Sequence, residues 1–277
     1  SWRLFLPIAF GIHVIVAPQS WLQLLESGEI TSGFWQFYPE YLRGSHDYSV
    51  TIPTWNHLWY VVYLLIYTLL LVPIARPVAR FMAGLGRSVT RRLFGWPWLV
   101  LIIPVIPHLI YRIWLDPYFP TTHDVIHDWA NHAHSFTTLL TGFLLAKDEN
   151  FWTAISKIFK SALVTTIMLG LVLTLVWNNW EAISEGETWL WPARAGRVLF
   201  AWIVIVTLLG ASQKWLNRPS SLLTYMTEAI FPWYILHQTL IILAGYWLTR
   251  QNLTAGTEFL LVTMSTFGGC LLLHEAF

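Results

Sequence analysis

Apolar residues fall along this chain in long unbroken runs, and the charged residues collect in the gaps between them. Eight stretches contain no Asp, Glu, Lys or Arg: residues 4–25, 54–75, 93–111, 129–146, 161–180, 198–213, 229–249 and 259–274. The runs are continuous and lack the apolar–polar alternation of a barrel strand, so each predicts a helix. A hydrocarbon core about 30 Å thick needs roughly 17–25 such residues per span. The sixth and eighth stretches are 16 residues each. Arg197 and Lys214 flank the sixth and extend it by directing their charged heads outward. The pattern predicts an all-α fold, a polytopic membrane helical bundle of about eight spans over a single domain, 1–277.

Composition sharpens the class. Hydrophobic residues make up 56% of the 277, charged residues 11%, and mean hydropathy is +0.53. Soluble domains carry roughly 25% charge because most of their surface meets water. The counts of 16 Gly, 14 Pro and one Cys exclude collagen-like, disordered and disulfide-stapled chains. The 18 Trp and 11 Tyr suit the two interfaces of a bilayer. A net charge of +1 gives no field that would recruit nucleic acid.

Basic residues set the orientation. With Ser1 inside and the spans alternating, 11 Lys and Arg lie inside and 5 outside, as the positive-inside rule requires. Most of the bias comes from Arg76, Arg80, Arg87, Arg91 and Arg92 in a loop after the second span. Their simplest role is topology and contact with anionic lipid. Both ends of the chain are then cytoplasmic. The outer loops, 19–53, 112–128 and 178–197, are acidic and aromatic, and the first has room for a short amphipathic or re-entrant piece. The chain opens on Ser1 without a signal peptide and stops straight after an apolar run. The expectation is a fragment, truncated before its first residue and just after its last span.

The ten His are the most informative polar residues, because ionisable groups at membrane depth are costly and mark paths or sites. His57, at the mouth of the second span, is either a base facing a membrane cavity or an interfacial residue of an aromatic belt beside Trp59 and Tyr60. His237, well inside apolar sequence after Pro232, is either functional or packed against a neighbouring helix. The run His123-Asp124-x-x-His127-Asp128-x-x-x-His132-x-His134 puts residues 123 and 127 on one helical face. It lacks the clustered or Cys-containing spacing of zinc sites, so no metal is expected. Cys270, beside Gly268 and Gly269, reads as a small packing residue. Nucleophile elbows and phosphate-binding loops are lacking, and Gly84-x-Gly86 sits among arginines without a preceding strand.

Four segments in order resemble the acyltransferase-3 family of bacterial inner-membrane proteins, and within it the glucan biosynthesis protein C-like branch. They are Trp2-Arg3-Leu4-Phe5-Leu6-Pro7-Ile8-Ala9-Phe10-Gly11; Asn56-His57-Leu58-Trp59-Tyr60; Asn131-His132-Ala133 leading to Leu140-Thr141-Gly142-Phe143; and Phe231-Pro232-Trp233-Tyr234-Ile235-Leu236-His237-Gln238. The resemblance implies a fold of roughly ten spans. It implies an integral O-acyltransferase that takes an acyl group, succinyl in the glucan branch, from a cytoplasmic acyl-CoA. The acyl group goes to a hydroxyl of an extracytoplasmic glycan or lipid-linked sugar, with no bound cofactor. On this resemblance His57, His237 and His132 are the catalytic candidates, and a His base would raise the nucleophilicity of the acceptor. Arg3 is the last arginine of a paired-arginine, donor-binding motif. The family's principal catalytic His, in its first span, would lie before Ser1. The alternative is a transporter or flippase for a polar glycan or lipid, which broken helices and buried His would also suit. A non-catalytic scaffold leaves the ordered motifs unexplained.

Overall fold

A computed structural model describes residues 2–185 and 187–276, with the side chains of Arg3, Ala182, Glu185, Glu187 and Thr188 outside the description. Among the described residues there is no strand; the backbone is helical apart from turns and a single bridge between Ser45 and Ile52. Nine helices matter here. They are α1 (Leu4–Glu26), α2 (Phe34–Arg43), α3 (Asn56–Phe94), α4 (Leu99–Trp114), α5 (Trp129–Leu145), α6 (Glu149–Asn178), α7 (Trp189–Leu216), α8 (Ser221–Leu248) and α9 (Ala255–Ala276). Helices dominate because hydrocarbon offers no partner for a backbone N–H or C=O, so each must be satisfied within its own segment.

Among the described residues six helices, α1, α3, α6, α7, α8 and α9, are long and apolar enough to cross a bilayer. The chain is a multi-pass membrane protein. The third and fourth apolar runs form the shorter α4 and α5. Pro104 interrupts the first of these, and Lys147 and Asp148 end the second. Large apolar side chains point outward in rows at helical spacing. On α6 these are Val164, Ile167, Met168, Leu171, Val172 and Leu175, all exposed. Such a stripe is a liability in water and the normal face of a helix in lipid.

Two stretches expected as loops are helical. Residues 76–92 continue α3 through a π-turn at Met82–Gly86. Arg76, Arg80, Arg87, Arg91 and Arg92 are therefore carried on an exposed helix. Much of 178–197 is also helical, in Trp180–Glu185 and the start of α7, which begins before Arg197 and includes it.

The chain packs as two compact units, residues 1–68 with 219–277, and residues 69–218. In the first, α1 passes through a π-turn at Gly11–Ile15. Pro18, one turn on, has no N–H to give. Three carbonyls of this region are instead taken by hydroxyls from other elements: Ile12 by Tyr41 at 2.7 Å, His13 by Tyr38 at 3.2 Å, and Ile15 by Thr239 at 2.7 Å. Tyr38 and Tyr41 come from α2, the short amphipathic piece expected between the first two spans. Its Phe37 and Tyr41 are buried with Ala17, Leu24, Ile30 and Ile52. The loop beyond closes on Glu29, whose carboxylate accepts from the Ser49 N–H at 2.8 Å, the Ser49 hydroxyl at 2.5 Å and the Ser27 hydroxyl at 2.8 Å. These bonds, Ser49 first, hold the Glu29 carboxyl below its ordinary range. In the same unit α8 and α9 pack side by side, tied by Tyr225 to Glu275 at 2.6 Å.

The second unit is built on α6 and α7, with a core of Phe94, Val100, Val105, Phe151, Ile155, Ile158, Trp202 and Val206. At one end Asp148 caps α6 through the Phe151 N–H at 2.9 Å and accepts from the Thr90 hydroxyl at 2.6 Å. Arg87 pairs with Glu149 at 2.8 Å beside it. At the same end the Lys214 ammonium sits over Phe159 at 5.5 Å and Trp215 at 5.1 Å, while Trp177 is exposed at the far end of α6.

Candidate active site

His57 lies in a 3₁₀ turn, Asn56–Leu58, that opens α3. Leu58 is buried with Val16 and Ile235, which seats the turn between α1 and α8. Gly11 permits that approach, since a Cβ there would stand 2.5 Å from Leu58 Cδ1 and 3.6 Å from Ile235. His237 lies a turn and a half beyond Pro232 on α8.

The structure brings His57 and His237 together. Their ring centroids are 5.4 Å apart and nearly perpendicular. The Nε2–H of His57 donates to the Ile235 carbonyl at 3.0 Å, and the Nδ1–H of His237 donates to the Tyr234 carbonyl at 2.6 Å. A ring nitrogen that donates to a carbonyl carries the proton, so in each neutral ring the other nitrogen holds a lone pair. Both rings are thus fixed by consecutive carbonyls of α8, with one basic nitrogen each to spare. The Nδ1 of His57 is buried and has no hydrogen-bond partner. Tyr234 donates its hydroxyl to the His57 carbonyl, which ties α8 to the turn a second time.

A polar chain supports the pair. Asn56 Nδ2 donates to Gln19 Oε1 at 3.0 Å, Gln19 Nε2 donates to Thr239 Oγ1 at 2.5 Å, and Thr239 donates to the Ile15 carbonyl. Gln19 is 2% exposed. Buried amides of this kind are retained when every member finds a partner. Sequence reading passed over Gln19 and Thr239. Their signal was an amide just after Pro18 in a largely apolar run, and a hydroxyl two residues after His237.

The other predicted residues lie elsewhere. His132 belongs to the second unit, in the first turn of α5, where its Nε2 meets the Val125 carbonyl at 2.8 Å. The side chain of Arg3 is outside the described residues. In the His–Asp run, His127 pairs with Asp124 at 2.7 Å, which with the Ile126 N–H lowers the Asp124 carboxyl below its usual range. The buried Asp128 accepts from the N–H groups of Thr122 and His123 and from Asn131 at 2.7 Å. These carboxylates order the entry to α5. Cys270 packs on α8, its sulfur 3.9 Å from the Trp233 carbonyl.

A family model described as an acyltransferase domain matches residues 2–275. No curated protein and no solved structure matches the chain.

Proposed function

Because the chain belongs to the acyltransferase-3 family, and so to the membrane O-acyltransferases in general, we propose which transfer it performs and where. The donor is a cytoplasmic acyl-CoA and the acceptor a hydroxyl of an extracytoplasmic glycan or lipid-linked sugar. In the glucan biosynthesis protein C-like reading the acyl group is succinyl and the acceptor a glucan. The membrane is the bacterial inner membrane with both ends of the chain cytoplasmic, a reading supported by the excess of basic residues on that side.

The observation that carries the catalytic reading is the His57–His237 pair, two rings 5.4 Å apart with their spare nitrogens uncommitted. One imidazole takes the proton of the acceptor hydroxyl as its oxygen attacks the thioester carbonyl. The new C–O bond forms as the C–S bond breaks, and the proton leaves with the thiolate of coenzyme A. The Ile235 and Tyr234 carbonyls hold the two rings in place for that step. The resemblance also offers His132 as a catalytic residue and Arg3 as the group that holds the anionic donor.

The test is acylation of glycan in cells by the whole protein carrying His57→Ala or His237→Ala. Loss of about a hundredfold or more is expected, the usual contribution of a general base. Wild-type acylation by both variants at equal membrane abundance would remove the assignment.

A further inference from the structure

The second unit holds a cavity of about 440 Å³ that the His57–His237 site does not use, lined among others by Arg112, Asp116, Asn131, His134 and Arg197. Its walls are a linked set of charges. Arg112 Nη1 pairs with Asp116 Oδ2 at 2.6 Å, and the other carboxylate oxygen, Oδ1, lies 3.1 Å from His134 Nε2. His134 Nδ1 meets His108 Nδ1 at 2.9 Å, with the two rings stacked 5.2 Å apart and 10° from parallel. Since His134 Nε2 faces a carboxylate, it carries a proton, and the neutral pair is completed by His108 Nδ1–H donating to His134 Nδ1. Tyr111 closes the set through Thr137 at 3.0 Å.

The charges do not cancel. Asp116 neutralises Arg112, both imidazoles can stay neutral, and Asn131 is spent on Asp128 and Ser135. Arg197, which reaches the cavity from α7, has no ion partner among the described residues. A cluster that served packing alone would pair its charges, because a lone guanidinium at a membrane edge is poorly compensated. Here Arg197 leaves one positive charge over, beside the unused N–H groups of Arg112 and the Thr121 hydroxyl on the wall. Two guanidinium forks around one space match the oxygens of a carboxylate or phosphate.

We infer that this cavity is an oxyanion site, binding the carboxylate or phosphate group of a ligand between Arg197 and Arg112, with Asp116, His134 and His108 holding Arg112 in place. The inference stands apart from the proposed acyl transfer, since it uses none of the residues assigned to it. The anion comes from a water-soluble molecule or from a lipid headgroup, and the chemistry of recognition is the same.

The test titrates inorganic phosphate, succinate and, as a neutral control, glucose into the whole protein by calorimetry. The protein is held in phosphatidylcholine nanodiscs with no acyl donor present, so failure of the acyltransferase reading would leave the result untouched. Phosphate or succinate should bind, and Arg197→Gln should weaken that binding about tenfold, with Arg197→Lys intermediate. Arg197 is exposed, so the variant should fold, and an unchanged melting curve verifies it. If phosphatidylglycerol in the disc competes with the soluble anion, and Arg197→Gln removes the competition, the anion is a lipid headgroup. Equal anion affinity in wild type and Arg197→Gln, glucose binding as tight as the anions, or no anion binding in either disc would overturn the inference.

Discussion

The indole N–H of Trp202 donates to the carbonyl of Val100 at 2.8 Å, across 102 positions of sequence. The bond exists because of Pro104. In a regular helix the Val100 carbonyl would accept from residue 104, and proline has no N–H. Trp202 therefore repairs the break in α4 from α7, deep in the core of the second unit. Trp202→Phe keeps the ring and loses the donor. It should cost about 1–3 kcal/mol, the usual penalty for an unsatisfied buried carbonyl, and appear as a lower melting temperature in nanodiscs. Adding Pro104→Ala should restore part of the loss, because the helix then supplies its own donor.

Gly11 is where α1 and the His57 turn come closest. Gly11→Ala would drive a methyl into Leu58, 2.5 Å away in the present arrangement. Overpacking of this kind costs about 1–3 kcal/mol, and the next residue to move is His57. Acylation should fall further than the folded fraction does, measured by comparing activity with the amount of protein surviving a mild heat step. Equal losses in the two readouts would separate Gly11 from the site.

Gln19 joins Asn56 to Thr239, whose hydroxyl in turn donates to the Ile15 carbonyl. Gln19→Leu keeps the volume roughly constant but leaves the Asn56 amide facing an apolar chain and removes one donor from Thr239, at about 1–3 kcal/mol. The expected signature is a lower kcat with a smaller change in KM, since the relay places the catalytic turn instead of touching the acceptor. A double variant with Thr239→Val should be less damaged than the sum of the two single changes, because it removes both ends of one hydrogen bond.

Glu29 makes the 27–49 segment sensitive to acid. Its folded carboxyl sits below the ordinary value of 4.5 through its bonds to Ser49 and Ser27. A lowered carboxyl stabilises the fold fully above its unfolded value, and that contribution is lost as pH falls through the folded one. Protease cleavage between residues 27 and 49 should therefore rise below the usual carboxylate range. Glu29→Gln should flatten that rise and cleave faster at neutral pH. A steep acid dependence surviving in the variant would point to another group.

How much of this was legible in the sequence depended on the range of the interaction. Continuous apolar runs are local, so the runs holding Ile167 and Leu243 were read as membrane helices from composition alone, and the structure has them there. The arginine stretch after residue 75 was misjudged for the same reason. Charge placement indicates the side of the membrane and says nothing about whether the backbone stops being helical, and here α3 simply continues. His57 and His237 were singled out one at a time, as polar residues at membrane depth. Their meeting is a contact across 180 positions that no periodicity encodes. Gln19 and Trp202 were missed because each answers a need elsewhere in the chain: Asn56 and Thr239 in one case, the carbonyl opposite Pro104 in the other. His108 and His134 were not paired in the sequence, since neither shows its partner until α4 and α5 are side by side.

The Lys214 head over Phe159 and Trp215 and the exposed Trp177 mark two levels on the same helix, α6. Eighteen residues separate 159 from 177, about 27 Å at ~1.5 Å per residue. That is close to the ~30 Å of a fluid hydrocarbon layer. The second unit in this way carries its own gauge of membrane thickness. In long-chain or sterol-stiffened bilayers one of the two aromatic levels must sink into hydrocarbon, or the surrounding lipid must thin to meet it. The enzyme's optimum should follow acyl-chain length as well as headgroup, a dependence written into α6 itself.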